Sequence, residues 1–286
     1  MPKVHELEGK VAIAGVACFI KAIRLAQYEE PILKEKISFL VGIICGGVKS
    51  RFFTEYLASK AGVSVKDIEK PQFRIKDLES TASDYSFGCF NKEEQKEHII
   101  KMRTVGDMWG TGLFKNNACD FCDDVTTELA DISLGDAWLL PYINDGNGTN
   151  IIVTRSSVAN GLIQHGIKKG KLAIESLPIE RFLASQQGSY NHRHLGLSVR
   201  IKQAKTKNQP IPPKRFGNEQ VMIDFKIIQK LRMKVRQKSL EKWAKNLDAQ
   251  SFDDAMKKYL NHLKLATKVY HYRRAIKRRL KNIFLR

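Results

Sequence analysis

This 286-residue chain has no apolar run long enough to cross a bilayer. The best candidates, residues 11–20 and 39–48, are about ten residues each and broken by glycine, whereas a span needs roughly 20. The opening Met-Pro-Lys-Val-His-Glu-Leu-Glu lacks the basic-then-apolar order of a secretory leader, so a cytoplasmic setting is expected. Cysteine is scarce, at five, and in a reducing compartment these are ligands, nucleophiles or buried thiols rather than disulfides. The glycosylation pattern Asn147-Gly148-Thr149 carries no weight there. Histidines are few and scattered: His5, His98 and His165 read as surface or satisfied residues, and His192 and His194 open a basic stretch. No pair stands out as a general acid and base.

Acidic residues are also missing where bases gather. Residues 191–286 hold 26 Lys and Arg against 6 Asp and Glu, while the remainder holds 23 against 24, so the net charge of +19 comes entirely from the tail. Such asymmetry marks a binding arm rather than a property of the catalytic fold. The 43% hydrophobic content suffices for one substantial core and a smaller module.

Lys10-Val-Ala-Ile-Ala14 predicts a strand, Gly15 a turn, and residues 18–26 a helix. Residues 37–44 repeat the strand, Cys45-Gly46-Gly47 the turn, and residues 49–60 the helix, with Phe52, Phe53, Tyr56 and Leu57 on its apolar side. Two successive βα units predict an α/β fold with a mostly parallel sheet, whose sites lie beyond the carboxyl ends of strands. Both Cys18 and Cys45 fall there. Residues 63–114 read as an irregular insertion with short β-like runs such as Gln72-Phe-Arg-Ile-Lys76. Asp131-Ile-Ser-Leu-Gly-Asp-Ala-Trp138 and Ile151-Ile-Val-Thr154 predict strands, residues 157–165 a helix, and Leu172-Ala-Ile174 a last core strand. The division expected is an oxidoreductase-type domain over residues 1–190 and a basic helical tail over 191–286. In that tail Val221, Phe225, Ile228, Leu231 and Val235 form an apolar stripe, and a last helix over 252–285 repeats the pattern with Met256, Leu260, Leu263 and Tyr270.

Cys119-Asp-Phe-Cys122 alone suits zinc, redox exchange or iron–sulfur chemistry. A zinc ribbon would bring a second such pair or paired histidines, which the sequence lacks. Acidic Asp123-Asp124 and polar Lys115-Asn-Asn117 flank the motif, unlike a thioredoxin helix start. With Cys18 and Cys45, three chain regions supply four cysteines, as a cuboidal [4Fe–4S] cluster requires. A helix start also favours thiolate at Cys18. The alternative reading makes Cys18 and Cys45 ordinary buried thiols. Cys89 reads as a bystander.

Over residues 7–189 these segments resemble the coenzyme F-420 hydrogenase/dehydrogenase beta subunit family, whose relatives include 7-hydroxymethyl chlorophyll a reductase. Leu7-Glu-Gly-Lys-Val-Ala-Ile-Ala-Gly-Val-Ala-Cys18 is similar to its first cysteine segment, though Val16-Ala17 stand where the family usually ends in proline. Val41-Gly-Ile-Ile-Cys-Gly-Gly47 is similar to its second cysteine turn. Residues 115–138, with Cys-x-x-Cys, Ala-Asp-Ile-Ser and Gly-Asp-Ala-Trp, are the most specific match.

The resemblance implies an FAD-binding α/β oxidoreductase with a [4Fe–4S] cluster, held by Cys18, Cys45, Cys119 and Cys122 and carried on the irregular insertion. Gly15, Arg74 and Lys76 are then expected near flavin or substrate, because a guanidinium and an ammonium two residues apart on a strand share a face. The bland reading of that pair is a surface couple balancing Asp77 and Glu79. Asp136 is expected beside the cluster, orienting a turn. Members usually carry an N-terminal segment or ferredoxin module ahead of the first strand, so a partner protein or subunit, also the electron-transfer partner, is expected to complete the flavin site. A different class of reading is a non-enzymatic nucleic-acid- or ribosome-binding protein with a structural metal site, favoured by the tail with Trp243, Tyr259, Tyr270 and Tyr272 interleaved. The tail stripe either docks on the core or lies on an anionic membrane surface, making the protein peripheral to the membrane. Lipid ranks ahead of nucleic acid because Val221, Phe225, Ile228 and Leu231 give it something to bury.

Overall fold

The computed structural model describes residues 2–284. Its elements run α1 (Pro2–Glu6), β1 (Val11–Val16), α2 (Ala17–Glu29), α3 (Pro31–Lys36), β2 (Ile37–Ile43), α4 (Arg51–Lys60), β3 (Ile68–Ile75), β4 (Ser86–Asn91), β5 (Lys96–Lys101), α5 (Met102–Val105), β6 (Ile132–Asp136), β7 (Asn150–Thr154), α6 (Ser157–Lys168), α7 (Ile179–Ser185), α8 (Gln187–Tyr190), α9 (Gly196–Thr206), α10 (Ile223–Lys245) and α11 (Ala249–Phe284). They divide into a first unit, Met1–Gly46 with Cys122–Arg193, and a second, Gly47–Phe121 with His194–Arg286.

The first unit is the expected α/β structure. Its sheet has the order β1-β2-β6-β7, parallel across β1, β2 and β6, with β7 antiparallel at the edge. Val16 pairs with Ile43, so β1 and β2 end level with each other. Ile20, Ile23, Leu33, Ile37, Leu40 and Ala130 form the core beneath α2 and α3. Each large aliphatic there contributes roughly 1.5–3 kcal/mol by leaving water. Buried Gln27 closes the α2–α3 corner by donating to the carbonyls of Leu33 and Ile37 at 3.4 and 2.9 Å. Gly42 is required in β2, because a Cβ there would stand 2.7 Å from the Thr127 side chain and 2.8 Å from Ser133 Oγ.

The second unit joins an antiparallel sheet, β3-β4-β5, to helices α4, α5, α9, α10 and α11. Its core is aromatic: Phe114 and Phe252 stack at 4.9 Å, and Tyr56 stands 4.9 Å from Phe252 and edge-on to Trp243 at 5.6 Å. Polar tips are satisfied, with Trp243 Nε1 donating to Glu55 at 2.8 Å and the Tyr56 hydroxyl to Asp253 at 2.7 Å. Phe225, Ile228 and Val235 are buried in this unit and Leu231 packs against its core, so of the two readings of the stripe the docked one holds for these residues; Val221 precedes α10 and is half-buried.

One strand expectation is corrected. Leu172-Ala-Ile174 form no strand. Leu172 instead folds back over Gly166 at the end of α6, its N–H reaching the Gly166 carbonyl at 3.2 Å, and it stays 37% exposed. Residues 63–114, read as an irregular insertion with short β-like runs, carry those runs as the three-stranded sheet.

Candidate metal centre and its supporting arginines

Cys18 is the second residue of α2 and is exposed; Cys45 follows β2 by two residues. Because β1 and β2 are parallel and end in register, both cysteines lie at the same carboxyl edge of the first unit. Cys122 belongs to the same unit and opens a loop tied to the end of β2. Thr127 Oγ1 donates to the Ile43 carbonyl at 2.8 Å. Arg193, 4% exposed in a π-helical turn (Asn191–Leu195), spans the two segments: its guanidinium donates to the carbonyls of Cys45 and Asp124. Arg155 holds the loop from its other side, donating to Ser133 Oγ at 2.7 Å and Thr126 Oγ1 at 3.0 Å. The Asp124 carboxylate caps the turn through the N–H groups of Thr126 and Glu128, both at 3.0 Å, and burial raises its pKa.

In the second unit, Cys119 sits in a short 3-10 turn (Asn117–Phe121), where its Sγ accepts from the Val48 N–H at 3.2 Å. Asp120 beside it is 4% exposed and pairs with Arg236 at 3.0 Å and Lys115 at 3.7 Å. Arg200, 1% exposed, donates to the Asp120 carbonyl at 2.6 Å and to Gln229 at 2.9 Å. Arginines at 193, 200 and 236, all from the basic stretch, thus hold the loops that carry Cys45, Cys119 and Cys122. Sequence reasoning missed all three, counting them with the solvated charge. The available signal was Leu197 and Val199, whose apolar character points to a buried α9.

Among the described residues, no three His, Cys, Asp or Glu side chains are grouped closely enough to hold one metal ion. None of the five cysteines is joined in a disulfide. Cys89 is buried in β4, and burial raises its pKa.

Gly15 lies in β1 opposite Gly42, with Phe19 and Ile20 of α2 closing on it. Asp136 ends β6; its carbonyl accepts from Gln186 at 3.1 Å and from the Trp138 N–H at 3.2 Å, which turns the chain. Arg74 and Lys76 do not stand on one face of a regular strand. β3 slips register on both sides of Gln72, Arg74 has φ +59°, and Lys76 follows the last strand residue. Asp77, the expected counter-charge, pairs with Lys101. The Arg74 guanidinium lies 5.1 Å from the Tyr85 ring. Both groups border a cavity of about 390 Å³ in the second unit, lined also by Lys49, Arg51, Phe53, Phe73 and Trp109. Lys49 donates to the carbonyls of Met108 and Leu113, the latter at 2.5 Å, and its ammonium lies 4.8 Å from the Trp109 ring centre. Burial, and then the neighbouring Lys115, lower its pKa to about 7.

Residues 8–180 match the sequence profile of the C-terminal region of the coenzyme F420 hydrogenase/dehydrogenase beta subunit. The chain belongs to this family. Within it, the coenzyme F420 hydrogenase subunit beta of Methanococcus voltae is 25% identical over 206 residues, covering 66% of this chain and 65% of the relative. The chain therefore spans about two thirds of that relative's length. A solved structure, the F420-reducing [NiFe] hydrogenase complex from Methanosarcina barkeri in its xenon-derivatized form, matches with a TM-score of 0.44 and 20% identity over 71% of this chain and 65% of the other.

Proposed function

We propose that this chain is an oxidoreductase subunit that relays electrons between a flavin or hydride carrier and one [4Fe–4S] cluster ligated by Cys18, Cys45, Cys119 and Cys122. Family membership across residues 8–180 carries the reading, and all four thiols fall inside that span. The donor set suits the group in kind: four cysteines, none committed to a disulfide. Cys18 and Cys45 share one strand edge, and Cys122 follows Cys119 by three residues, so the chain itself keeps that pair within about 10 Å. In this reading cluster insertion gathers the thiolates. Arg193, Arg200 and Arg236 fix the backbone from which they reach, and Asp136 steadies the turn after β6.

A bound cluster supplies one-electron transfer at a potential set by the hydrogen bonds and burial around its sulfurs. Flavin is proposed for the aromatic, cationic cavity beside Arg74, with Lys76 close by in the chain; Gly15 is proposed as a cofactor-binding residue of the first unit. Phe53, Phe73, Tyr85 and Trp109 offer flat apolar walls, while Arg51 and Arg74 offer charge to phosphate. A partner protein completes the flavin site and exchanges electrons with it in the cytoplasm.

The test is anaerobic purification followed by iron, sulfide, flavin and absorption analysis. About four irons and four sulfides per chain with a broad visible band support the reading. A colourless protein carrying stoichiometric zinc overturns it and favours a structural metal site.

A further inference from the structure

Helix α11 carries two apolar stripes, one packed into the second unit's core and one exposed among the described residues. Phe252, Met256 and Leu263 are buried and Tyr259 and Tyr270 pack beside them, forming the stripe that closes the second unit's core. At about 100° per residue, Leu265, Val269, Tyr272, Ile276 and Leu280 fall within an arc of about 80° on the roughly opposite side. These five are exposed, at 63%, 44%, 69%, 39% and 48%. Folding of the unit does not account for such a repeated apolar row in water.

The charge around the row is of one sign. Exposed Lys264, Lys268 and Arg279 lie along one flank, and Arg273 and Lys277 along the other. Residues 255–286 contain 11 Lys and Arg and no Asp or Glu. A second copy docked through this row would bring cation against cation along both flanks. A nucleic acid would meet the cations and leave the apolar row in water. An anionic lipid surface satisfies both features: the row enters the headgroup boundary, while long basic side chains on each side extend to the phosphates.

We propose that the exposed stripe of α11 docks the protein on an anionic membrane surface, with the helix lying in the interfacial plane. This location is independent of whether the cysteines hold a cluster. The row is distinct from the α10 stripe that the sequence alone suggested, which is buried.

The test is co-sedimentation of the full chain with vesicles of phosphatidylcholine alone or doped with phosphatidylglycerol, at low and high salt. Binding to the doped vesicles only, weakened by salt, is expected. The neutral double variant Val269→Ser with Ile276→Ser keeps every charge and alters only exposed positions, so its thermal unfolding should match the parent. Its vesicle binding should fall by about tenfold or more, since burial of the apolar face is what it loses. Unchanged binding by this variant overturns the proposal, showing attraction by charge alone. Equal binding to neutral vesicles, or none to either kind, also overturns it. So does a stripe-dependent dimer in sedimentation velocity without vesicle binding, which would assign the row to a second copy.

Discussion

Arg193 donates to the main-chain carbonyl of Cys45, 148 residues earlier in the chain, and with the same guanidinium to that of Asp124. Replacing it with methionine leaves two carbonyls without their donor, and each unsatisfied buried group costs about 1–3 kcal/mol. Arg193→Met should lower stability in urea by about 2–4 kcal/mol and reduce iron incorporation. Arg193→Lys, which keeps the charge but not the two-pronged geometry, should fall between. Iron retention equal to the parent in a folded Arg193→Met variant would detach this arginine from the cysteine loops.

The cysteines are separable by substitution. Cys119→Ser and Cys122→Ser should each abolish the visible absorption of anaerobically prepared protein. Cys89→Ser should preserve it, because Cys89 is enclosed in β4. A small loss of stability, about 1 kcal/mol, is expected there from placing a hydroxyl in an apolar site. Equal loss of colour in all three variants would show that the choice of bystander is mistaken.

The basic C-terminal helices should behave as core in truncation experiments. Deleting residues 217–286 removes Trp243, Phe252 and Met256, all 2% exposed or less, and should abolish the cooperative transition of the second unit. Deleting residues 271–286 removes exposed positions such as Tyr272 and Ile276 and should leave that transition in place. Tyr56→Phe, which strips the hydroxyl from Asp253, should cost about 1.5–3 kcal/mol as a hydrogen bond to a charged group. Calorimetry of the three proteins checks the series.

Lys49 gives the second unit a pH dependence of known sign. Its ammonium ionises near 10.5 when exposed and near 7 when folded, so between these values the unfolded chain holds a proton that the folded chain has released. Stability should therefore increase as pH rises from about 7 towards 10.5, and below pH 7 the buried charge exerts its full destabilising effect. Urea midpoints across this range should rise less steeply in Lys49→Met. Parallel curves would place the titration elsewhere.

The parts of this fold legible in the sequence were those written in local pattern. The runs before Cys18 and Cys45 predict β1 and β2 because small and β-branched residues gather there, and parallel pairing follows from the intervening helix; Gly15, expected as a turn, instead lies inside β1. The amphipathic spacing of α10 and α11 is equally plain. What that spacing does not convey is the partner of each stripe: Phe225 and Ile228 meet a core, whereas Val269 and Ile276 meet solvent. Burial of Arg193 and Arg200 depends on carbonyls far along the chain, which no local pattern encodes. The slip in β3 at Arg74 likewise depends on its pairing with β4, and Leu172 was mistaken for strand because a short apolar run looks the same when it caps a helix.

The second unit is discontinuous in the chain, and this sets an order on its synthesis. Residues 47–121 emerge from the ribosome long before Trp243, Phe252 and Met256, the side chains that enclose Phe114 and Tyr56. Until then the nascent segment presents unfilled aromatic surface, the kind of exposure that chaperones hold and proteases sample. A premature stop ahead of α11 thus yields a polypeptide that retains all five cysteines but lacks part of the shell around Phe114.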